Sequence, residues 1–216
     1  VVVVGLYFTA ICLQSGYADF SLVLYNTTFI FLVVVPLLTM RSIVEERRQK
    51  TDQLLLTSRA SIAGIVWGKY LALVTVYAIP LAIVGICPLV MRAYGSVSLA
   101  RSYAALLAFF LMGAAAIAFT VLAALLALFL HWMTKSLVLP SAVFCVLEGG
   151  LAAVYFLKPA WLEGLFPKLL NSLALFGRFD NFVNGLFDIS SLVYFVSVAL
   201  LFVFFTCQGF EKRRWS

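Results

Sequence analysis

Arg41-Ser-Ile-Val-Glu45-Glu46-Arg47-Arg48-Gln49-Lys50-Thr51-Asp52-Gln53-Leu54-Leu55-Leu56 is the longest polar stretch of the sequence, and the rest of the chain is read from it. Seven charged side chains lie here, out of 15 basic and 9 acidic in the whole chain. Long apolar runs flank the stretch: residues 22–40 carry no charge, and neither do residues 70–91. A charged side chain at the centre of a bilayer costs about 2.5–3.5 kcal/mol even on the lenient insertion scale. The stretch must therefore emerge into water, and its basic character puts it in the cytoplasm. Opposite charges at i,i+4 (Glu46 with Lys50) and i,i+3 (Glu45 with Arg48) suit a helical turn. Leu54, Leu55 and Leu56 give that turn an apolar patch to bury. Two readings are open: a solvated loop that fixes topology, or a cytoplasmic helix that docks on a soluble partner.

The composition sets the class. Hydrophobic residues make up 64%, charged residues 11%, and the mean hydropathy is +1.10. A soluble domain needs roughly a quarter of charged residues to cover its surface, so this is an all-α polytopic membrane protein. The net charge of +6 is an orientation signal and gives no reason to invoke nucleic acid. Cys12, Cys87, Cys145 and Cys207 each sit alone in apolar runs, without the paired spacing of a metal site or redox motif, and are read as buried thiols. The opening Val-Val-Val-Val carries neither Met nor a basic region, and is expected to continue a longer first helix.

In chain order, residues 1–13 form a first apolar run, short of the ~20 that cross a bilayer. Residues 22–40 form a second span with Pro36 near its end. A third covers about 65–91, with Trp67, Lys69 and Tyr70 at its inner mouth and Pro80, Gly85 and Pro88 interrupting it. Residues 92–102 read as a short polar loop. The fourth span, 103–130, is rich in Gly and Ala and is expected at the centre of the bundle, because small side chains let backbones approach. The fifth, 137–157, carries Glu148-Gly149-Gly150 near its middle. Residues 158–190 are too broken by Pro and Gly for a span and too apolar for a free loop. One or two interfacial amphipathic helices fit there, with Trp161, Phe166, Phe176, Phe179, Phe182 and Phe187 favouring the interface. Residues 192–210 form the sixth span, closed by Glu211-Lys-Arg-Arg-Trp215. With both termini inside, ten of the basic residues fall on the inner side and five on the outer, which supports six helices and cytoplasmic ends.

No catalytic or metal-binding constellation is present. Gly64-Ile-Val-Trp-Gly68-Lys69-Tyr70 has three residues between its glycines, lacks Ser or Thr after Lys, and opens an apolar helix, so it is no phosphate loop. Glu148 is the one acidic residue deep in a span. An intramembrane carboxylate marks a functional site by default, and Glu148 with Gly149 is the candidate lining of a translocation path. One carboxylate without a basic partner in any span equips an ion-coupled carrier poorly.

These residues carry a resemblance. Pro36-Leu-Leu-Thr-Met-Arg-Ser-Ile-Val-Glu-Glu-Arg-Arg48, then Leu54-Leu-Leu-Thr-Ser58 and Gly68-Lys69, resembles the permease subunits of ABC-2 type ABC exporters, in particular the gliding-motility-associated subgroup. Phe179, Asn181, Phe182, Gly185, Asp188 and the basic end at 211–215 are similar as well. Lys50, Gln53 and Arg59 depart from that pattern, where the family has Gly, Glu and Pro. The resemblance implies a single permease domain over 1–216, preceded by an inner-leaflet helix. It makes 41–60 the coupling segment that seats in an ATP-binding subunit, and 158–190 an external interfacial segment. The contacts with the ATPase would be Glu45, Glu46, Arg47, Arg48, Gln53, Leu54, Leu55 and Leu56. The chain itself would hold no cofactor, since ATP and Mg belong to the partner, and would catalyse nothing. Its partners would be ABC ATP-binding subunits, a second permease and the lipid of a prokaryotic cytoplasmic (inner) membrane. An ion-coupled secondary transporter and a non-transporting membrane scaffold are the rival readings.

Overall fold

The computed structural model describes residues 2–14, 19–48, 61–94, 97–134, 138–156, 175–184 and 187–214. Helix α1 (Val2–Phe8) runs into a π-helical stretch, Thr9–Gln14. It is followed by α2 (Phe20–Arg48), α3 (Ile62–Val84), α4 (Cys87–Tyr94) and α5 (Leu99–Thr134). Then come α6 (Val138–Phe156), α7 (Leu175–Val183) and α8 (Ile189–Arg214). Among the described residues the fold is entirely helical. A backbone without water can satisfy its N–H and C=O groups within a helix and not in an open strand.

Three stretches are long and apolar enough to cross a membrane: Ala63–Ala93, Leu99–Ala127 and Ile189–Gly209. A fourth is the bent pair Phe20–Thr28 and Val33–Arg41 if it is taken as one span. The apolar parts of the first and fifth positions, Val2–Cys12 and Ser141–Gly150, are shorter. Helices thus occupy every position the hydropathy marks.

The breaks have local causes. Helix α2 turns by 59° between Phe20–Thr28 and Val33–Arg41. Pro36 has no N–H for the carbonyl of residue 32, and its ring crowds that turn. The third span splits at Gly85 and Ile86, between Pro80 and Pro88, and resumes as α4 with Pro88 in its first turn, where the missing N–H costs nothing. The loop expected over 92–102 is shorter, because α4 runs to Tyr94 and α5 begins at Leu99. Side chains cap the starts. Ser61 Oγ accepts from the Gly64 amide at 3.2 Å, Asp19 from the Ser21 amide at 3.1 Å, and Asp188 from the Ser190 amide at 3.0 Å.

Helix α5 is the axis of the bundle. It packs against α2, α3, α4, α6, α7 and α8, and Ala105, Ala108 and Ala115 are fully buried on it. Its paired positions give the directions of the others. Phe31 meets Phe109 and Thr39 meets Thr120, so α2 runs parallel to α5. Phe119 meets Phe202, and Gly209 lies against Leu125, so α8 does too. Tyr70, Tyr77 and Tyr103 link residues 70 to 114, 77 to 109 and 85 to 103, so α3 is antiparallel. Helices α2, α5 and α8 therefore run one way and α3 the other.

The clearest small-residue contact is Gly113. A Cβ there would sit 2.5 Å from the Tyr77 ring, which is held by its hydroxyl on Phe109 O at 3.0 Å and is stacked on Phe110. The described part of the segment expected to be interfacial packs its aromatic face against the bundle. Phe179 and Phe182 are each 1% exposed, and Phe179 packs on Phe109 with ring centroids 5.8 Å apart. Helix α7 turns its aromatic face into the groove between α2, α5 and α8, because burial against helices orders those rings more fully than an interface does. Phe187 stays exposed at 58%; Trp161 and Phe166 lie outside the described residues.

Gly113→Ala should destabilise the subunit by about 1–3 kcal/mol, the usual cost of overpacking. Tyr77→Leu in the same chain should recover part of that loss. Thermal unfolding in detergent, run as a double-mutant cycle, checks it, and additive losses would mean that the two residues do not share the contact.

Candidate functional site

The charged stretch continues the second span directly. Helix α2 extends to Arg48, so the backbone at Glu45, Glu46, Arg47 and Arg48 is the last turn of a helix that begins at Phe20. Gln53, Leu54, Leu55 and Leu56 lie outside the described residues, as does Lys50, the expected partner of Glu46. Beyond the 59° bend, the second half of the span and the backbone of the first half of the charged stretch are thus one helical rod with no loop between them.

That rod is tied to the bundle axis by two buried hydroxyls. Thr39 Oγ1 lies 2.8 Å from Val35 O and 2.9 Å from Thr120 Oγ1, and Thr120 Oγ1 lies 2.9 Å from Ile117 O. Three contacts share two hydroxyl hydrogens, so two bonds form at a time. Either each hydroxyl bonds its own helix, or one of them bonds across. Both residues are fully buried. The pair therefore links α2 to α5 two residues before the first charge of the stretch at Arg41.

The opposite end of the bundle is held by charge. Arg101 of α5 donates to Val183 O at 2.9 Å and faces the Asp19 carboxylate at 3.4 Å, joining the starts of α2 and α5 to the end of α7. Arg178 lies over the Tyr194 ring at 4.1 Å. Asp188 also accepts from the Ser191 hydroxyl at 2.9 Å. These contacts pin α7 and the head of α8.

Glu148 lies on α6, a helix that packs on α5 through Phe144 against Ala123 and Ala124. Both carboxyl oxygens are buried, and among the described residues none is within hydrogen-bonding reach of them. Gly149 and Gly150 are exposed, and a Cβ on either would meet nothing within 4 Å. Among the described residues none uses the close approach these glycines allow. The two sets of sequence candidates stay apart: Glu45, Glu46, Arg47 and Arg48 end α2, and Glu148 with Gly149 lies on α6. Among the described residues no group of His, Cys, Asp and Glu could hold a metal ion, and the four cysteines are free thiols.

Sequence reasoning passed over Thr39, Thr120 and Arg101. A lone hydroxyl among apolar and small residues is a signal for inter-helix bonding. Thr120, in Ile117-Ala-Phe-Thr-Val-Leu-Ala, carries it, but only the fold supplies its partner. Thr39→Val should cost about 1 kcal/mol, a typical net hydrogen bond, and Thr39→Ser should cost less. Thermal unfolding of the two variants checks this, and a loss confined to Thr39→Ser, which keeps the hydroxyl and drops the methyl, would assign the effect to the methyl group.

A family model described as ABC-2 family transporter protein matches residues 13–204. No curated protein and no solved structure matches the chain.

Proposed function

The chain belongs to the ABC-2 transporter family, and on that premise we propose that it is the permease subunit of an ATP-driven exporter of the gliding-motility-associated kind. Family membership makes it a multi-pass membrane permease that works with an ATP-binding subunit. The single observation that carries the finer reading is the continuity of α2 from Phe20 through Pro36 and Thr39 to Arg48. In this reading six helices span the cytoplasmic membrane, with both termini inside, and ATP and Mg are held by separate ATPase chains. Glu45, Glu46, Arg47 and Arg48, with Gln53 and Leu54, Leu55 and Leu56, seat in the ATPase. When the ATPase dimer closes, its push on residue 48 is applied to a rigid end. The bend before Pro36 yields, and Thr39 changes partner on Thr120. The Asp19–Arg101 end stays clamped, so the displacement becomes a tilt of α2 against α5 that opens a path. The carrier and scaffold alternatives lack a comparable lever.

A second permease supplies what α6 lacks. An unpaired buried carboxylate is costly, and the glycines beside it offer a surface where another backbone can approach. Glu148 in this reading meets either a polar group of the second permease or the wet path between the two.

Two outcomes test these roles. Cysteines placed at Arg48 or Leu55 should crosslink to a copurified ATP-binding chain, and labelling of the same positions from outside intact cells would reverse the topology. Glu148→Leu should raise the stability of the isolated subunit by about 1–3 kcal/mol, the desolvation of an unsatisfied group, and lower the yield of the assembled complex in native mass spectrometry. Glu148→Gln should leave assembly close to that of the parent chain. Equal assembly of all three forms would remove Glu148 from the subunit interface.

A further inference from the structure

Between α1, α2 and α3, over a floor made by α5, lies an apolar groove of about 230 Å³. Its α2 wall is Thr27, Ile30, Val34 and Leu38, three or four residues apart and so on one helix face. Its α3 wall is Val76, Pro80 and Val84, and Phe109 and Ile117 form the floor. The polar atoms of the lining are already bonded within the fold. Thr27 Oγ1 donates to Val23 O at 2.8 Å and the Tyr77 hydroxyl to Phe109 O at 3.0 Å. Nothing in the groove selects water or a polar ligand.

Its dimensions narrow the occupant. The α2 wall from residue 27 to residue 38 measures no more than about 16 Å, at 1.5 Å per residue, and the 59° bend between Thr28 and Val33 shortens it. That fits within one leaflet, half of the ~30 Å hydrocarbon thickness. A volume of about 230 Å³ between these walls suits one unbranched chain. A helix, about 10–12 Å across with its side chains, does not enter. The rim says what lies outside. Val34 and Val76 are 47% and 51% exposed, and the neighbouring Leu37 and Ile79 are 61% and 60%. In a chain that crosses the bilayer, such a continuous aliphatic surface faces hydrocarbon. The groove is also preformed: Phe31 at its edge packs on Tyr77 and Phe109, with ring centroids 5.1 Å away in both cases.

We propose that this groove is a binding site for a single lipid acyl chain, held between the proline-bent α2 and the Pro80 turn of α3. The inference is independent of ATP coupling and needs only that the chain is embedded in lipid. A chain seated there fills the gap between the two proline-bearing helices, so their packing is completed by lipid. Because α2 forms one wall, a tilt of that helix changes the width of the site.

The test uses the full chain, with whatever subunits copurify, in phosphatidylcholine vesicles doped with phosphatidylcholine carrying a diazirine on one acyl chain. After photolysis, adducts mapped by peptide sequencing should be several-fold more frequent at Val34, Leu38 and Val76 than at Leu200 and Phe204. Those two α8 residues are comparably open, at 49% and 58% exposure, but lie outside the groove. Val34→Phe and Val76→Phe put bulk at the rim, where it overpacks no core position. Each should lower groove labelling several-fold and leave α8 labelling unchanged. Labelling that simply follows exposure at every position would overturn the site. So would a benzophenone side chain at Val76 that captures a second copy of this chain and no lipid.

Discussion

Every feature of this protein follows from a solvent that offers the backbone no hydrogen bonds. In hydrocarbon each unpaired N–H or C=O costs several kcal/mol, so the spans are helical and their polar side chains turn inward onto carbonyls. Thr27, Thr28, Thr75, Ser197 and Thr206 all donate to the carbonyl four residues back. Tyr70, Tyr77 and Tyr103 reach across to carbonyls of the neighbouring helix. With hydroxyls satisfied in this way, helix association rests on close packing. That is why Gly113 and the buried alanines of α5 sit where α3, α8 and α2 converge.

The described contacts along α2 differ in kind from one end to the other. At the Asp19 end, an ion pair, a guanidinium on a carbonyl, a cation over a ring and carboxylate caps fix the relative positions of α2, α5, α7 and α8. The α2–α5 contact near the Arg48 end includes a hydroxyl pair with more contacts than hydrogens. A bend of 59° partway along α2 lies between the two.

The class of molecule and the punctuation of its helices are legible in the residues alone. Hydropathy and charge spacing required a polytopic helical chain with a charged segment after the second span. Pro36, Pro80, Gly85 and Pro88 marked where axes bend, and the Gly and Ala of 103–130 marked the central helix. These are local properties: a residue's transfer cost and its backbone freedom are set by its own chemistry and its near neighbours. The tertiary structure decided the rest. Phe179 and Phe182 carry the aromatic signature of an interface, yet they fill a groove, because α2, α5 and α8 leave one of matching shape. Thr39 and Thr120 are 81 residues apart, and neither spacing nor composition joins them. Glu148 was legible as an intramembrane carboxylate, but whether any side chain answers it is a question of which helices meet. Only the packing of the bundle answers questions of that kind, since they concern distances between residues whose positions along the chain are unrelated.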